Sequence, residues 1–431
     1  MEKNNFRKIA TITLVQWYCF LLYGTAAGTV FHKVFFSQTG NGTTALILSY
    51  MSFAIGYIAG PFGAIFFGHI GDRKGRKVTM YASLLMMGIS TSIIGILPPA
   101  ASAGVGVVIV LQLMRLAQCF GRGGTWGGGI LMAYENVPEN KRSFYAAIPQ
   151  IGLPIGFGLS SILIAVPTLL LPEDIFFTWG WRIPFLAAII LTVIVIRQKG
   201  EMMETEDYKK AQAKLEAEEA EGKKHKVGFI PMVKGYWKTL LLGCGTRWVD
   251  GTFYNIFIVW ILSYCINWLG MPLIQTYIIT IIACIFKIPF TLFGGWCAQK
   301  LGNTRTFVIG ALASAVLSIP TLKVIELSKG NLAITIIGIV LGWSIAYNLI
   351  WAVISSLWSS YFETEVRYSG ISFVYHVPSF LVAGMVPTIC TLLINYGKGD
   401  TIYVGIYSTV VALISAACAL ALKARHDRGE K

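Results

Sequence analysis

Apolar residues along this chain fall into long unbroken blocks separated by short polar intervals, neither alternating as in strands nor striped as in soluble helices. A bilayer core needs roughly 20 residues at ~1.5 Å rise per residue, and the blocks have that length. They run Ile9–Phe31, Ala45–Phe67, Val78–Leu97, Val105–Ala133, Phe144–Val166, Ile183–Ile196, Thr239–Cys265, Leu273–Ala298, Phe307–Ile325, Leu332–Leu357, Ser369–Ile394 and Ile402–Leu422. The pattern predicts an all-α polytopic membrane protein with twelve transmembrane helices. The sixth block is short as bounded and is expected to begin near Trp179. The interval Arg197–Lys238 is rich in helix formers of mixed charge, and it predicts a solvated surface helix and tether. The expected organisation is therefore a six-helix bundle at 1–196, a linker at 197–238 and a second six-helix bundle at 239–431.

Composition agrees with a membrane protein: 55% of the 431 residues are hydrophobic and 13% charged, with mean hydropathy +0.64. A net charge of +14 would suggest nucleic acid in a soluble protein. Here most Lys and Arg fall in intervals that alternate spans place on one side. Lys33, Arg182, Lys323, Lys329 and Lys398 fall on the other. The asymmetry places both termini in the cytoplasm and makes the bilayer, not nucleic acid, the partner. The first apolar run reads as a span rather than a cleavable leader. The eight cysteines form no CxxC pair, so neither a disulfide framework nor a metal site is read, and no cofactor is expected. No nucleophile–base pair or metal cluster is legible, which argues against an enzyme. Asn41-Gly42-Thr43 matches a glycosylation acceptor, a pattern too short to carry weight.

Charges inside the spans carry the chemistry. Arg115 and Arg122 in the fourth block are seven apart, almost two helical turns, and share a face. A charge at membrane depth costs at least ~2.5 kcal/mol, so it faces a wet cavity or a partner. Gly123, Gly124, Gly127, Gly128 and Gly129 follow, a face on which another helix can approach backbone to backbone. Arg247 and Lys287 are the other buried cations. Asp250 is the acid left well inside a span, with Glu135 at the end of the fourth. Arg247 and Asp250, three apart, are expected to neutralise each other. Arg115, Arg122 and Lys287 are then expected to attract an anion, for which a guanidinium offers a planar fork of donors. His376, beside Val377-Pro378, is a proton-coupling candidate with Asp250. Gln16 and Tyr23 share a face of the first span, and Tyr254, Tyr347, Asn348 and Trp351 are candidate cavity walls. Pro149, Pro154, Pro289, Pro378 and Pro387 are expected to kink their helices.

Between the second and third blocks stands Gly68-His-Ile-Gly71-Asp72-Arg73-Lys74-Gly75-Arg76-Lys77. Its glycines allow a tight turn, and Asp72 can meet a helix N-terminus or an arginine. This run resembles the cytoplasmic loop motif of the major facilitator superfamily. A worn copy, Gly295-Trp-Cys-Ala298-Gln299-Lys300-Leu301-Gly302, lies between the eighth and ninth blocks, with Gln299 where the first copy has Asp72. Arg115-Leu-Ala-Gln118, Gly123-Gly124-Thr125-Trp126-Gly127-Gly128, Trp179-Gly-Trp-Arg-Ile-Pro-Phe-Leu186 and Arg367-Tyr-Ser-Gly370 are similar to the metabolite:proton symporter branch. The resemblance implies alternating access around a midplane site, with Gly68, Asp72, Arg73, Gly75 and Arg76 as a conformational latch. It also implies a bacterial inner membrane, a monomer, and cargo among organic acids or zwitterions such as proline and betaine.

The chain departs from that branch where charge matters. Gln16 and Cys19 replace two usual acids of the first span, and Thr125 a third in the fourth. Arg122 and His376 replace uncharged residues. The expectation is a secondary transporter of a small organic anion, carried with protons. The substrate-binding candidates are Arg122, Arg115, Lys287, Gln16, Tyr23, Thr125, Tyr254, Tyr347, Asn348 and Trp351. Anion exchange or uniport, a zwitterion carrier, and a non-transporting sensor are the rival readings.

Overall fold

The computed structural model describes residues 3–38, 41–74, 76–135, 137, 141–198, 229–363 and 366–430. Gly75, most of the linker, and the side chains of Asp72, Arg73, Arg76, Thr125 and Glu135 lie outside the described set. Among the described residues all regular structure is helical. The spans are Lys3–Thr29, Gly42–Lys74, Arg76–Ile96, Val105–Glu135, Arg142–Leu170, Glu173–Arg197, Val233–Asn267, Leu273–Leu301, Asn303–Leu327, Leu332–Ser359, a broken eleventh, and Ile402–Asp427. They fall where the apolar blocks placed them. The sixth begins earlier than its block, because a wide turn at Phe176–Gly180 carries the helix back through Trp179 to Glu173. The second is started by Asn41, whose Oδ1 accepts from the Thr44 N–H at 2.8 Å.

Three helices of the second set widen into π turns: Ile256–Trp260 in the seventh span, Val340–Ala346 in the tenth and Phe380–Gly384 in the eleventh. The eleventh is split by this turn into Arg367–His376 and Val386–Tyr396. Pro378 and Pro387 flank the turn, and each removes a backbone donor from the ladder.

Spans one to six pack chiefly on one another, two and three against four, one against five, three against six. Spans seven to twelve do the same, nine against ten and twelve, seven against twelve. The two sets meet along spans two and eleven, five and eight, and one and seven. The seventh span is buried over 94% of its apolar stretch and the first over 78%, against 44% for the ninth and twelfth. Spans one and seven therefore form the axis, and the ninth and twelfth present apolar faces outward.

Glycine decides how close the helices come. A Cβ on Gly63 would fall inside the Phe120 carbonyl, and one on Gly123 inside the backbone of Ala64. Spans two and four thus touch backbone to backbone, as the glycine-rich face predicted. Gly56 opens the gap in which Arg115 lies, since a Cβ there would sit 2.7 Å from its Nε.

Candidate functional site

The axis is polar at its centre. From span four, Arg115 is fully buried in an aromatic box, its guanidinium carbon 4.6 Å from the Phe20 ring, 4.4 Å from Tyr23 and 4.7 Å from Phe53. It donates to the Gln118 side-chain oxygen and to the Phe53 carbonyl, and its Nη2 makes no hydrogen bond in the structure. Gln118 is held in turn by the Cys19 carbonyl and Thr91. Tyr23 is tied to Ser52, which Gln112 also reaches.

Two turns on, Arg122 is 1% exposed and stacks on Phe20 at 3.9 Å. It also lies 5.1 Å from the Tyr57 ring and 5.5 Å from the Tyr375 ring, and it bonds the Tyr375 hydroxyl. From span seven, Arg247 covers the same Tyr375 ring at 4.4 Å. Two guanidinium groups, one from each set of spans, therefore share one phenol of span eleven. Arg247 pairs with Asp250, both almost wholly buried, as their spacing predicted. The other Asp250 oxygen accepts from the Tyr347 hydroxyl. Among the described residues Asp250 is the one buried carboxylate, against Arg115, Arg122, Arg247 and Lys287 in mid-span and Lys8 and Arg182 near the ends of their spans.

Lys287 departs from the expectation that it stands without a partner. Its Nζ donates to Asn348 Oδ1 at 2.9 Å and the Trp343 carbonyl at 3.4 Å, and lies over the Trp343 and Tyr347 rings. Asn348 returns a bond to the Lys287 carbonyl at 2.7 Å. Spans eight and ten are thereby tied together. The Asn348 oxygen also accepts from the Thr291 hydroxyl at 3.1 Å.

Gln16 is buried with its Nε2 unbonded. Trp17, next to it, packs against Trp351 at 5.4 Å and Tyr254 at 6.1 Å. Trp351 donates to the Gln150 carbonyl across the two sets. His376 is 1% exposed, with both ring nitrogens unbonded, and meets span two at Gly60. Tyr57 and Tyr375 were missed from the sequence. Tyr50 and Tyr57 are seven apart, the same two-turn spacing as Arg115 and Arg122, and that was the available signal.

Contacts between the two sets close both mouths of this centre. On the face that carries the Asn41 loop, Tyr50 donates to Ser263 at 2.7 Å and Tyr277 to Thr29 at 3.1 Å. A Cβ on Gly28 would sit 3.0 Å from the Val259 carbonyl. On the opposite face, Gly68 and its repeat counterpart Gly295 occupy matching positions. Gly68 lies under the Tyr368 ring of span eleven, and Gly295 under Ala147 of span five. Gln299, the counterpart of Asp72, accepts from the Phe144 N–H in the first turn of span five at 3.4 Å. Asp72, Arg73, Gly75 and Arg76 themselves, with Thr125, lie outside the described residues.

The sequence model of the Major Facilitator Superfamily matches residues 9–387. The inner membrane metabolite transport protein YhjE of Escherichia coli is 34% identical, covering 96% of this chain and 93% of the relative. The shikimate transporter of Escherichia coli is 31% identical over 95% of this chain and 92% of its own. The proline/betaine transporter of Salmonella typhimurium is 27% identical over 96% and 82%. Among solved structures, a D-xylose-proton symporter aligns with a TM-score of 0.71 at 15% identity, covering 97% of this chain and 96% of that one. The likeness is one of fold.

Proposed function

The chain belongs to the Major Facilitator Superfamily and is a multi-pass membrane transporter of small metabolites, and we propose that its cargo is a small organic anion moved by alternating access. One observation carries the reading: Arg122 and Arg247, from opposite sets of spans, converge on Tyr375 while a single described carboxylate, Asp250, is buried with them. Two like charges sharing one phenol in a low-dielectric centre are stabilised by an anion placed between them. Shikimate, proline and betaine, the compounds named for the relatives, have a carboxylate in common, and Arg122 is the group suited to read it. Bundles 1–196 and 239–431, joined by 197–238, would rock about spans one and seven, with both termini cytoplasmic.

Proton coupling fits the same geometry. An arriving anion competes with Asp250 for Arg247, and the released carboxylate then takes a proton. His376 is the second candidate carrier. Acidifying the outer compartment should accelerate uptake under symport, whereas strict dependence on an opposing anion would mark exchange.

The rival zwitterion reading has the aromatic walls Trp17, Tyr254 and Trp351 in its favour. Against it, the Phe20 and Tyr375 rings are already covered by guanidinium groups, and Asp250 is held by two donors. Uptake by purified protein in vesicles tests the choice. Arg122→Ala should abolish uptake of carboxylates while the protein stays folded. Full uptake by that variant, or competition by betaine but not by dicarboxylates, would reject the anion reading.

A further inference from the structure

The centre also holds buried polar groups that neither packing nor a carboxylate uses. The Tyr57 hydroxyl from span two, the Tyr254 hydroxyl from span seven and both ring nitrogens of His376 from span eleven make no hydrogen bond in the structure. Their residues are 1%, 4% and 1% exposed. They lie around Arg122. Tyr57 has its ring 5.1 Å from that guanidinium, and Tyr254 packs at 6.1 Å against Trp17, itself 6.2 Å from the Phe20 ring that Arg122 covers. His376 packs at 5.0 Å against Tyr375, the ring beside Arg122, and its Nδ1 would be 2.9 Å from a Cβ on Gly60, one turn along span two from Tyr57. Buried polar groups are almost always paired, so a set of orphans from three spans around one guanidinium points to a ligand that pairs them.

The chemistry of the orphans selects among ligands. A phenol both donates and accepts, and a neutral imidazole offers one donor and one acceptor. A second carboxylate only accepts, and would leave the imidazole acceptor unmatched. An alkyl chain would leave all of them unmatched. A hydroxyl group both donates and accepts. We infer that the transporter takes a hydroxylated carboxylate, with Tyr57, Tyr254 and His376 reading the hydroxyls of a substrate whose carboxylate sits at Arg122. The inference rests on the anion reading and deepens it. A site built to bond a hydroxyl discriminates strongly against an analogue that lacks it, because its own groups are then stranded.

The test is thermal stabilisation of the purified full-length protein by two matched pairs of acids: shikimate with cyclohex-1-enecarboxylate, and gluconate with hexanoate. In each pair the ring or chain and the carboxylate are kept and the hydroxyls removed. At least one hydroxylated member should stabilise the wild type at roughly tenfold lower concentration than its deoxy partner. Tyr57→Phe and Tyr254→Phe, each of which removes one oxygen and keeps the ring, should bring that ratio toward one. The inference is overturned if the wild type shows no preference in either pair, or if both phenylalanine variants keep it. Arg122→Ala separates the two levels. Loss of stabilisation by both members of a pair in that variant upholds the carboxylate reading even when the hydroxyl preference is missing. Unchanged stabilisation in Arg122→Ala, or stabilisation of the wild type by none of the four acids, overturns both.

Discussion

Lys287 shows why a charge inside a span cannot be interpreted from its own helix. Its neighbours on the same helix offer no carboxylate or amide oxygen. Its partner Asn348 is 61 residues away and on span ten, where only the fold brings it to 2.9 Å. Asn348→Ala should strip the ammonium of that oxygen and cost about 2–3 kcal/mol, read as a lower Tm of the purified protein. Lys287→Met combined with Asn348→Leu should recover much of the loss, and failure to recover would mean that Asn348 acts through something other than the lysine. Arg247 and Asp250 are the opposite case, because three residues of separation made the pair legible. Arg247→Gln or Asp250→Asn alone should cost about 3–5 kcal/mol, and the double variant should cost less than either. Just beyond the C-terminal end of span one, burial and then Lys33 push the His32 pKa down to about 4. A histidine depressed in this way stabilises the fold above its unfolded value of about 6.5, and that contribution is lost as pH falls toward the folded value. His32→Gln should therefore flatten the fall of Tm across that window, and superimposable curves would refute the assignment.

The elements were easier to read than their partners. Block length placed the spans, because only a helix satisfies its own backbone across a bilayer core. The breaks were legible in part. Prolines at 378 and 387 announced that span eleven would bend, but proline marks a missing donor, not the π turn that absorbs it at Phe380–Gly384. The turns at Ile256–Trp260 and Val340–Ala346 contain no proline and left no signal. They follow Tyr254 in span seven and precede Tyr347 in span ten, so the residues whose positions they set were harder to place than their spans. Glycines, by contrast, announced a close crossing without naming the helix crossed. Gly63→Ala, at the crossing of spans two and four, should lower Tm sharply, because the added methyl meets the Phe120 backbone rather than a movable side chain. Gly106→Ala on span four, where a Cβ meets nothing within 4 Å, should be neutral or slightly stabilising. Equal effects from the two would mean that the crossing tolerates separation.

At the scale of the whole molecule, the described contacts shut the central site from both faces at once. The internal repeat made part of this readable, since it put the Gly68 motif and its worn copy at one face, where Gly68 and Gly295 each meet the other set of spans. Nothing in the sequence marked the opposite mouth, where Tyr50, Ser263, Tyr277 and Thr29 are ordinary residues of apolar spans brought together only by the meeting of the two sets. That mouth depends on Gly28, which leaves 3.0 Å for a Cβ against the Val259 carbonyl and 3.1 Å against the Tyr50 hydroxyl. The Val259 carbonyl is backbone and can withdraw only if span seven parts from span one. A large side chain at Gly28 should therefore prop this mouth open and leave the Gly68 face closed. Cells expressing Gly28→Trp with Ser263→Cys should react faster with a membrane-impermeant maleimide than cells expressing Ser263→Cys alone. They should also lose uptake, because a carrier held open to one side cannot deliver to the other. Slow labelling together with normal uptake would show that spans one and seven can close over a bulky residue, and that the hydroxyl contacts beside Gly28 are packing rather than a gate.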